Sequence, residues 1–390
     1  MRRRTFLSSA IALAGAGRAV PSPLPLPKSL GRHIRSGPLA ITMWDFSWLE
    51  RRWPGAGYED WDLALDELRE RGYNAVRIDA YPHLIAGGAD RVWTLLPEWN
   101  QQDWGAPAKC RVRVQPELNR FIGKCAERGI VVALSTWFRE DAGNQRLKMA
   151  SPRDLGLVWK ATLDSIQAAG LLGSILYVDL CNEFPLQVWA PFTPKGLLRA
   201  SPEGVRWMAE PVGLLREAYP ELAYTFSFTT ECETWRKQDV SMLDFLELHL
   251  WMTHFSDFYQ QVGYNYERFE SKGYENLAEK AETLYRSKPD YWKKRLEDGI
   301  RTLAAEWSVA SGKPLITTEC WSLVDYKDWP LLNWEWIKEL CETGVRAAAE
   351  TGRWAAMATS NFCGPQFRGM WRDVAWHRKM TSVIRSASLG

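Results

Sequence analysis

One alternation governs residues 36–390: a short apolar or β-branched run, then a stretch with 3.6-residue apolar periodicity, then another run. The runs fall at 39–46, 74–81, 130–138, 174–181, 223–229, 245–251, 314–319 and 354–360. Helical periodicity occupies 58–71, 115–128, 152–169, 203–218, 291–311 and 331–351. Several of these stretches stop at a glycine just before the next run, as in Arg71-Gly72, Arg128-Gly129, Ala169-Gly170 and Ser311-Gly312. Glycine there accepts the left-handed backbone that closes a helix. Strands separated by helices pair in parallel, because each crossover returns the chain to the same end of the sheet. A doubly wound open sheet would usually carry a Gly-rich phosphate loop after its first strand, and Met43-Trp44-Asp45-Phe46-Ser47-Trp48 stands there instead. The pattern predicts an α/β fold, a (β/α)₈ TIM barrel in a single domain with long βα loops.

The first residues do not share this pattern. Arg2-Arg3-Arg4-Thr5-Phe6-Leu7 precedes a small-residue apolar run through Gly17, with Ala14-Gly15-Ala16 as a cleavage signal. A basic start, a short apolar stretch and small residues describe a secretory signal over 1–20, of the twin-arginine variety. The run is too short and too rich in Ala and Gly to span a bilayer. The Pro-rich stretch 21–35 reads as a linker. The expectation is therefore an exported protein, periplasmic or extracellular, with no membrane attachment after processing.

In a (β/α)₈ barrel the site is assembled from the C-terminal ends of the strands. That rule reduces the sequence to a short set. Strand one ends in Trp44, Asp45 and Trp48, and strand two carries Arg77 and Asp79 in one phase. Strand three ends in Thr136-Trp137-Phe138-Arg139 and strand four in Asn182-Glu183. Strand six bears His249 and Trp251, with His254 beyond. Strand seven ends in Thr318-Glu319-Cys320-Trp321 and strand eight in Ser360-Asn361-Phe362. Composition fits this picture: 22 Trp, 13 Tyr and 14 Phe exceed what a core requires, and flat rings stack well on the C–H face of a sugar.

Two glutamates at one rim, Glu183 and Glu319, suit the cleavage of a glycosidic bond. That reaction needs a protonated carboxylic acid for the leaving oxygen and a carboxylate at the anomeric carbon. Their pKa values must be pushed apart by neighbours. Arg77, on an adjacent part of the rim, is expected to hold Glu319 as a carboxylate, although it would also be a natural structural partner of Asp79. No cofactor is needed, because acid and nucleophile suffice. A metal site from His249 and His254 lacks a third ligand.

These motifs resemble the cellulase-type clan of glycoside hydrolases, clan A. Asn182-Glu183 after strand four and Glu319 after strand seven carry the likeness. The segment Asn74-Ala75-Val76-Arg77-Ile78-Asp79 resembles the arginine-bearing strand of the cellulase family, family five. His249-x-Trp251 is similar to that family's strand-six His-x-Tyr. The resemblance implies Glu183 as general acid/base, Glu319 as nucleophile, Asn182 on the hydroxyl beside the anomeric centre, and retention of configuration. Arg77, His249, Trp251, Trp321, Asn361, Trp44, Asp45 and Trp137 would bind substrate. Phe184 stands where cellulases commonly have proline, no histidine ends strand three, and strand eight ends in Asn361-Phe362 instead of tryptophan. These departures lie where substrate would sit and point away from cellulose, toward a cellulase-like group.

Two long connections, 82–113 with Trp93, Trp99 and Trp104, and 253–294 with seven aromatic residues between Phe255 and Tyr274, would wall the rim into a pocket. A pocket favours exo action on a carbohydrate. The rival functions are a carbohydrate-binding barrel without turnover and a transglycosylase using the same nucleophile. A net charge of +2 gives nucleic acid no electrostatic footing. Seven cysteines without C-x-x-C spacing give neither a disulfide framework nor a zinc site. Cys181, Cys320 and Cys363 are expected to pack behind the site. Nothing in the sequence sets an oligomeric state.

Overall fold

The computed structural model describes residues 24–98, 103–229, 231–265 and 271–390. The segment read as a signal, 1–20, lies outside them, as do Trp99, Tyr266 and Phe269. Eight strands form one sheet: β1 Leu39–Asp45, β2 Ala75–Asp79, β3 Val131–Ser135, β4 Ile175–Asp179, β5 Tyr224–Thr225, β6 Leu246–Glu247, β7 Leu315–Thr317 and β8 Trp354–Ala358. The hydrogen-bonded order runs β5-β4-β3-β2-β1-β8-β7-β6, every pair parallel. The remaining seam, β5 to β6, closes through a single parallel bridge between Phe228 and Leu248. This is the expected (β/α)₈ barrel. Its strands are almost wholly buried, which is why they read as continuous apolar runs and do not alternate.

The helices fall where the periodicity put them. Trp61–Glu70 starts at Asp60, whose carboxylate accepts from the backbone of Asp62 and Leu63. Pro152–Ala168 and Pro202–Ala218 start at Ser151 and Ser201, each with proline in the first turn. Gly72, Gly129, Gly170 and Gly312 all have positive φ. Two expectations change. Part of the stretch read as linker is a helix, Lys28–His33, with Ser29 and Leu30 buried. Ser29 Oγ accepts from the backbone N–H of Ala223, 3.0 Å away, and so meets an end of the barrel wall. The connection 253–294 is also not one long loop. It contains the helices Phe258–Val262, Ser271–Asn276, Glu282–Ser287 and the start of Pro289–Asp298.

Beyond β6 and β7 the chain continues as a second parallel pair, Leu250–Trp251 with Cys320–Trp321. Between each strand and its continuation the ladder is interrupted, at His249 and at Thr318-Glu319. These interruptions turn His249 and Glu319 toward each other, as the distances below show.

Candidate active site

Alternation along β1 sends Met43 and Asp45 to the inside and Trp44 to the outside. Arg77, on β2, occupies the centre. Its Nε and Nη2 donate to both oxygens of Asp45 at 2.9 and 2.7 Å. Nη1 donates to Glu247 Oε1 at 3.0 Å. Nη2 also reaches Asn182 Oδ1 at 3.1 Å and Glu319 Oε1 at 2.5 Å. The guanidinium is wholly buried. Asp79, the other partner the sequence allowed, instead accepts from the backbone N–H groups of Tyr81 and Trp137.

Glu183 follows β4 in a left-handed backbone conformation, φ 46°, which costs a non-glycine residue energy and persists only when neighbours enforce it. Here its N–H donates to Ser227 Oγ at 2.8 Å, and Ser227 is fixed in turn by Asp179. The Glu183 carboxylate accepts from His249 Nδ1 at 2.9 Å and from Trp189 Nε1 at 3.3 Å. His249 Nδ1 is also 3.6 Å from Glu319 Oε1. One carboxyl oxygen each of Glu183 and Glu319 and a ring nitrogen of His249 all lie within 4.8 Å of one another. Both carboxylates are nearly sealed: the Glu183 side chain is 13% exposed and that of Glu319 5%.

The charges do not balance. One guanidinium faces Asp45, Glu247 and Glu319, with Glu183 close by. Burial pushes Glu319 up to about 7, and negative Glu183 and Asp45 add to the push against the pull of His249 and Arg77. Glu183 is held below the ordinary range despite its burial, because the N–H groups of His249 and Trp189 favour its charged form. Arg77 meets Glu319 and pulls toward its ionised form, in the direction expected, and burial outweighs that pull. Arg77 touches Glu319, but Asp45 and Glu247 already draw on its charge. Glu247 itself is held down to about 2: burial opposes this, and Arg77, His249 and Thr318 outweigh it. Burial works against charging His249 as well, and Glu319, Glu183 and Glu247 raise its proton affinity in spite of it. Arg77 Nη1 lies 3.2 Å from His249 Nε2. A guanidinium cannot accept, so this contact is a hydrogen bond only with Nε2 unprotonated, while Nδ1 faces the Glu183 carboxylate.

The trio Glu183, His249 and Glu319 offers three ligand atoms for a cation, a combination the sequence reading overlooked. The Glu319 oxygen nearest His249 already receives Arg77, so a divalent ion there would stand against a fixed guanidinium. That opposes a metal at this position.

The structure gathers Arg77, Asp45, Asn182, Glu183, His249 and Glu319 into one network, and Trp137 joins it by donating from Nε1 to Asp45. Trp251 packs edge-on to His249 and His254 with its indole N–H buried and unpartnered among the described residues. The amide nitrogen of Asn182 is likewise without a partner. Asn361 donates to the Val324 carbonyl and braces the loop after β7. Two expectations fail. Trp44 packs outside the sheet against Tyr58 and Phe121. Trp321 is fully buried, donates to the Ala358 carbonyl and lies over Gly344 of the helix Glu335–Thr351, where an added Cβ would come within 2.5 Å of its ring. Trp44 sits one residue before inward Asp45, and a strand sends neighbours to opposite faces; Trp321 lies two residues beyond Glu319, past the break in the ladder at Thr318-Glu319. Cys181, Cys320 and Cys363 are buried, as expected of packing groups.

Sequence reasoning missed Glu247 and Trp189. Glu247 was within reach, since it shares the phase of His249 on strand six. Trp189 lies in an irregular segment after β4, where no periodicity points.

The loops after β2, β6, β7 and β8 meet above the network. Asp103 accepts from the backbone of Asp328 at 2.8 Å, Trp104 packs on Phe362 and Phe367, and Tyr259 bonds the backbone of Asp325.

The family described as sugar-binding cellulase-like matches residues 41–385. The chain belongs to that family. A provisionally assigned glycoside hydrolase from Parabacteroides distasonis is 52% identical to this cellulase-like chain, with a TM-score of 0.89, covering 91% of this chain and 96% of the other. An endo-β-1,4-mannanase from Thermotoga petrophila shares the fold at 12% identity and a TM-score of 0.52, over 92% of this chain and 78% of the other. So does a family-five, subfamily-18 protein from Bifidobacterium longum subsp. infantis, at 12% identity and 0.53, over 91% and 81%. A search of curated proteins finds no match. The cellulase-like chain is a glycoside hydrolase.

Proposed function

We propose that this glycoside hydrolase retains anomeric configuration, with Glu319 as nucleophile and Glu183 as acid/base. The observation that carries this is the spacing of the two carboxylates, whose nearer oxygens lie within 4.8 Å. Inverting enzymes hold their carboxyl groups ~6.5–9.5 Å apart to admit a water, and retaining ones ~5–5.5 Å. In the first step Glu319 bonds to the anomeric carbon, the glycosidic C–O bond breaks, and Glu183 gives its proton to the departing oxygen. In the second, water attacks the same carbon, its proton passes to Glu183, and the ester bond to Glu319 breaks.

The proton begins in the wrong place. Burial raises the proton affinity of Glu319 while His249 and Trp189 lower that of Glu183, whereas the reaction needs the proton on Glu183. A sugar removes the remaining water from Glu183 and so favours its neutral form. Positive charge developing at the anomeric carbon favours ionised Glu319. The pair thus carries one proton, and substrate moves it across. The free amide nitrogen of Asn182 is the donor for the hydroxyl beside the reacting carbon.

The linked loops after β2, β6, β7 and β8 support a pocket and exo action on a carbohydrate chain end. The arginine-led segment at the start of the chain supports export.

The test is product release from a panel of plant and bacterial polysaccharides and short oligosaccharides. NMR of the first-formed anomer accompanies it, for wild type, Glu183→Ala and Glu319→Ala. The expected result is a single retained sugar from chain ends, abolished by either substitution. First-formed product of inverted configuration would overturn the mechanism. Activity in either alanine variant close to wild type would overturn the residue roles, and long products cut from mid-chain would overturn exo action.

A further inference from the structure

Glu247 has no place in the two-step reaction. It is wholly buried on β6 and cannot touch a sugar. Its Oε1 accepts from Arg77 Nη1 at 3.0 Å and from Thr318 Oγ1 at 2.5 Å, and its Oε2 is buried with no partner among the described residues. Thr318 immediately precedes Glu319. Glu247 therefore grips the two groups that flank the nucleophile, its arginine and its own backbone neighbour, and leaves the nucleophile's carboxylate untouched.

Arg77 has five N–H bonds and all are in use. Asp45 takes two of its nitrogens and Glu247 a third, so Glu319 meets a guanidinium whose charge is already divided. A bidentate Arg–carboxylate pair elsewhere in the chain shows the alternative: Arg139 serves Glu50 through both Nε and Nη2 at 2.8 Å. At Arg77 that bidentate clasp goes to Asp45, and Glu319 receives one shared hydrogen.

We propose that Glu247 is a positioning residue that draws Arg77's charge away from Glu319, keeps the Glu183–Glu319 pair singly protonated, and thereby sets the alkaline limit of the reaction. The inference rests on the catalytic reading of that pair. The charged and titratable groups around Glu247 and Glu319 are Asp45 on β1, Arg77 on β2, Tyr177 and Asp179 on β4, Glu183 after β4 and His249 after β6. Arg77 and His249 pull a proton off Glu319, while burial, Glu183 and Asp45 oppose them. Glu247 holds Arg77 through Nη1, the terminal nitrogen that Glu319 does not use.

Two variants move the limit in opposite directions. Glu247→Gln keeps both hydrogen bonds through its amide oxygen and removes the charge. Arg77 then serves Glu319 more fully, and the alkaline limb of kcat/KM moves down by about one pH unit. Thr318→Val keeps the charge and removes its hydroxyl donor. Glu247 then leans harder on Arg77, and the limb moves up by roughly half a unit. A merely structural role would lower Tm in both and shift neither limb.

Glu319 is read directly as well, by carboxyl ¹³C NMR titration of glutamate-labelled protein, its signal assigned by loss in Glu319→Gln. The expected result is a Glu319 titration and a kcat/KM limb that shift together, down in one variant and up in the other. If Glu247→Gln fails to fold, an upward shift in Thr318→Val still carries the inference, and an unmoved titration in Thr318→Val overturns it. A Glu319 titration that moves while the kcat/KM limb stays fixed overturns the catalytic reading of the pair instead.

Discussion

Arg77 Nη2 stands 2.5 Å from Glu319 Oε1, and the same guanidinium is clasped by both oxygens of Asp45 and by Glu247. The nearest cation to Glu319 is shared among three carboxylates, and burial outweighs its pull on the Glu319 proton.

Removing that cation exposes the imbalance. Arg77→Met leaves Asp45, Glu247 and Glu319 buried without compensation. Breaking a buried ion pair in this way costs about 3–5 kcal/mol. The expected outcome is a large fall in denaturant midpoint together with loss of detectable turnover. A midpoint within experimental error of wild type would show that the cluster is neutralised by other means.

Activity should fall on the alkaline side of neutrality. On the proposed mechanism the pair works with one proton, and burial pushes the Glu319 carboxyl up to about 7. A kcat/KM profile is expected to decline as pH rises through about 7, because the doubly ionised pair cannot protonate a leaving group. A flat profile from pH 6 to about 9 would contradict this.

Stability should respond to the same proton. The folded-state pKa of Glu319, about 7, lies above its ordinary 4.5. Its contribution is therefore fully present below 4.5 and is lost as pH rises through about 7. Glu319→Gln cannot ionise and escapes that loss. Its Tm is expected to exceed wild type by several degrees at pH 8 and by much less at pH 5, measured by calorimetry at both.

Trp189→Phe keeps the ring against Trp137 and removes one N–H from Glu183. Losing that donor raises the proton affinity of Glu183, so the acid limb of the pH profile moves up. A positional loss of about three- to tenfold in kcat accompanies it, the range of one modest hydrogen bond. Unchanged kcat with an unchanged acid limb would remove Trp189 from the site.

Trp321 and Gly344 test the outward face. Gly344→Ala drives a methyl into the Trp321 ring and is expected to destabilise the fold by about 1–3 kcal/mol, as overpacking does. KM per folded molecule should stay at the wild-type value. A raised KM in Trp321→Phe, measured on stable protein, would return Trp321 to the substrate.

The sequence by itself determined the barrel and the rim. Eight runs of buried strand, helices that start at Ser151 and Ser201 and stop at Gly72 or Gly312, are local signals, written in periodicity, capping and backbone freedom. The strand-end rule then brought Asp45, Arg77, Asn182, Glu183, His249 and Glu319 to one end, and the structure joins these six in one network. Only the tertiary structure decided the rest. Trp44 stands next to inward Asp45 and faces the opposite way, whereas Trp321, two residues beyond Glu319, faces outward because the ladder breaks at Thr318-Glu319 and shifts the phase of the strand. Lys28–His33 is helical because the barrel end offers Leu30 burial, which no local composition announces. The protonation of the pair was beyond the sequence for the same reason. A pKa in a buried cluster is set by burial and by every charge packed around it, and Arg77, Asp45, His249 and Glu319 come together from four strands of the barrel.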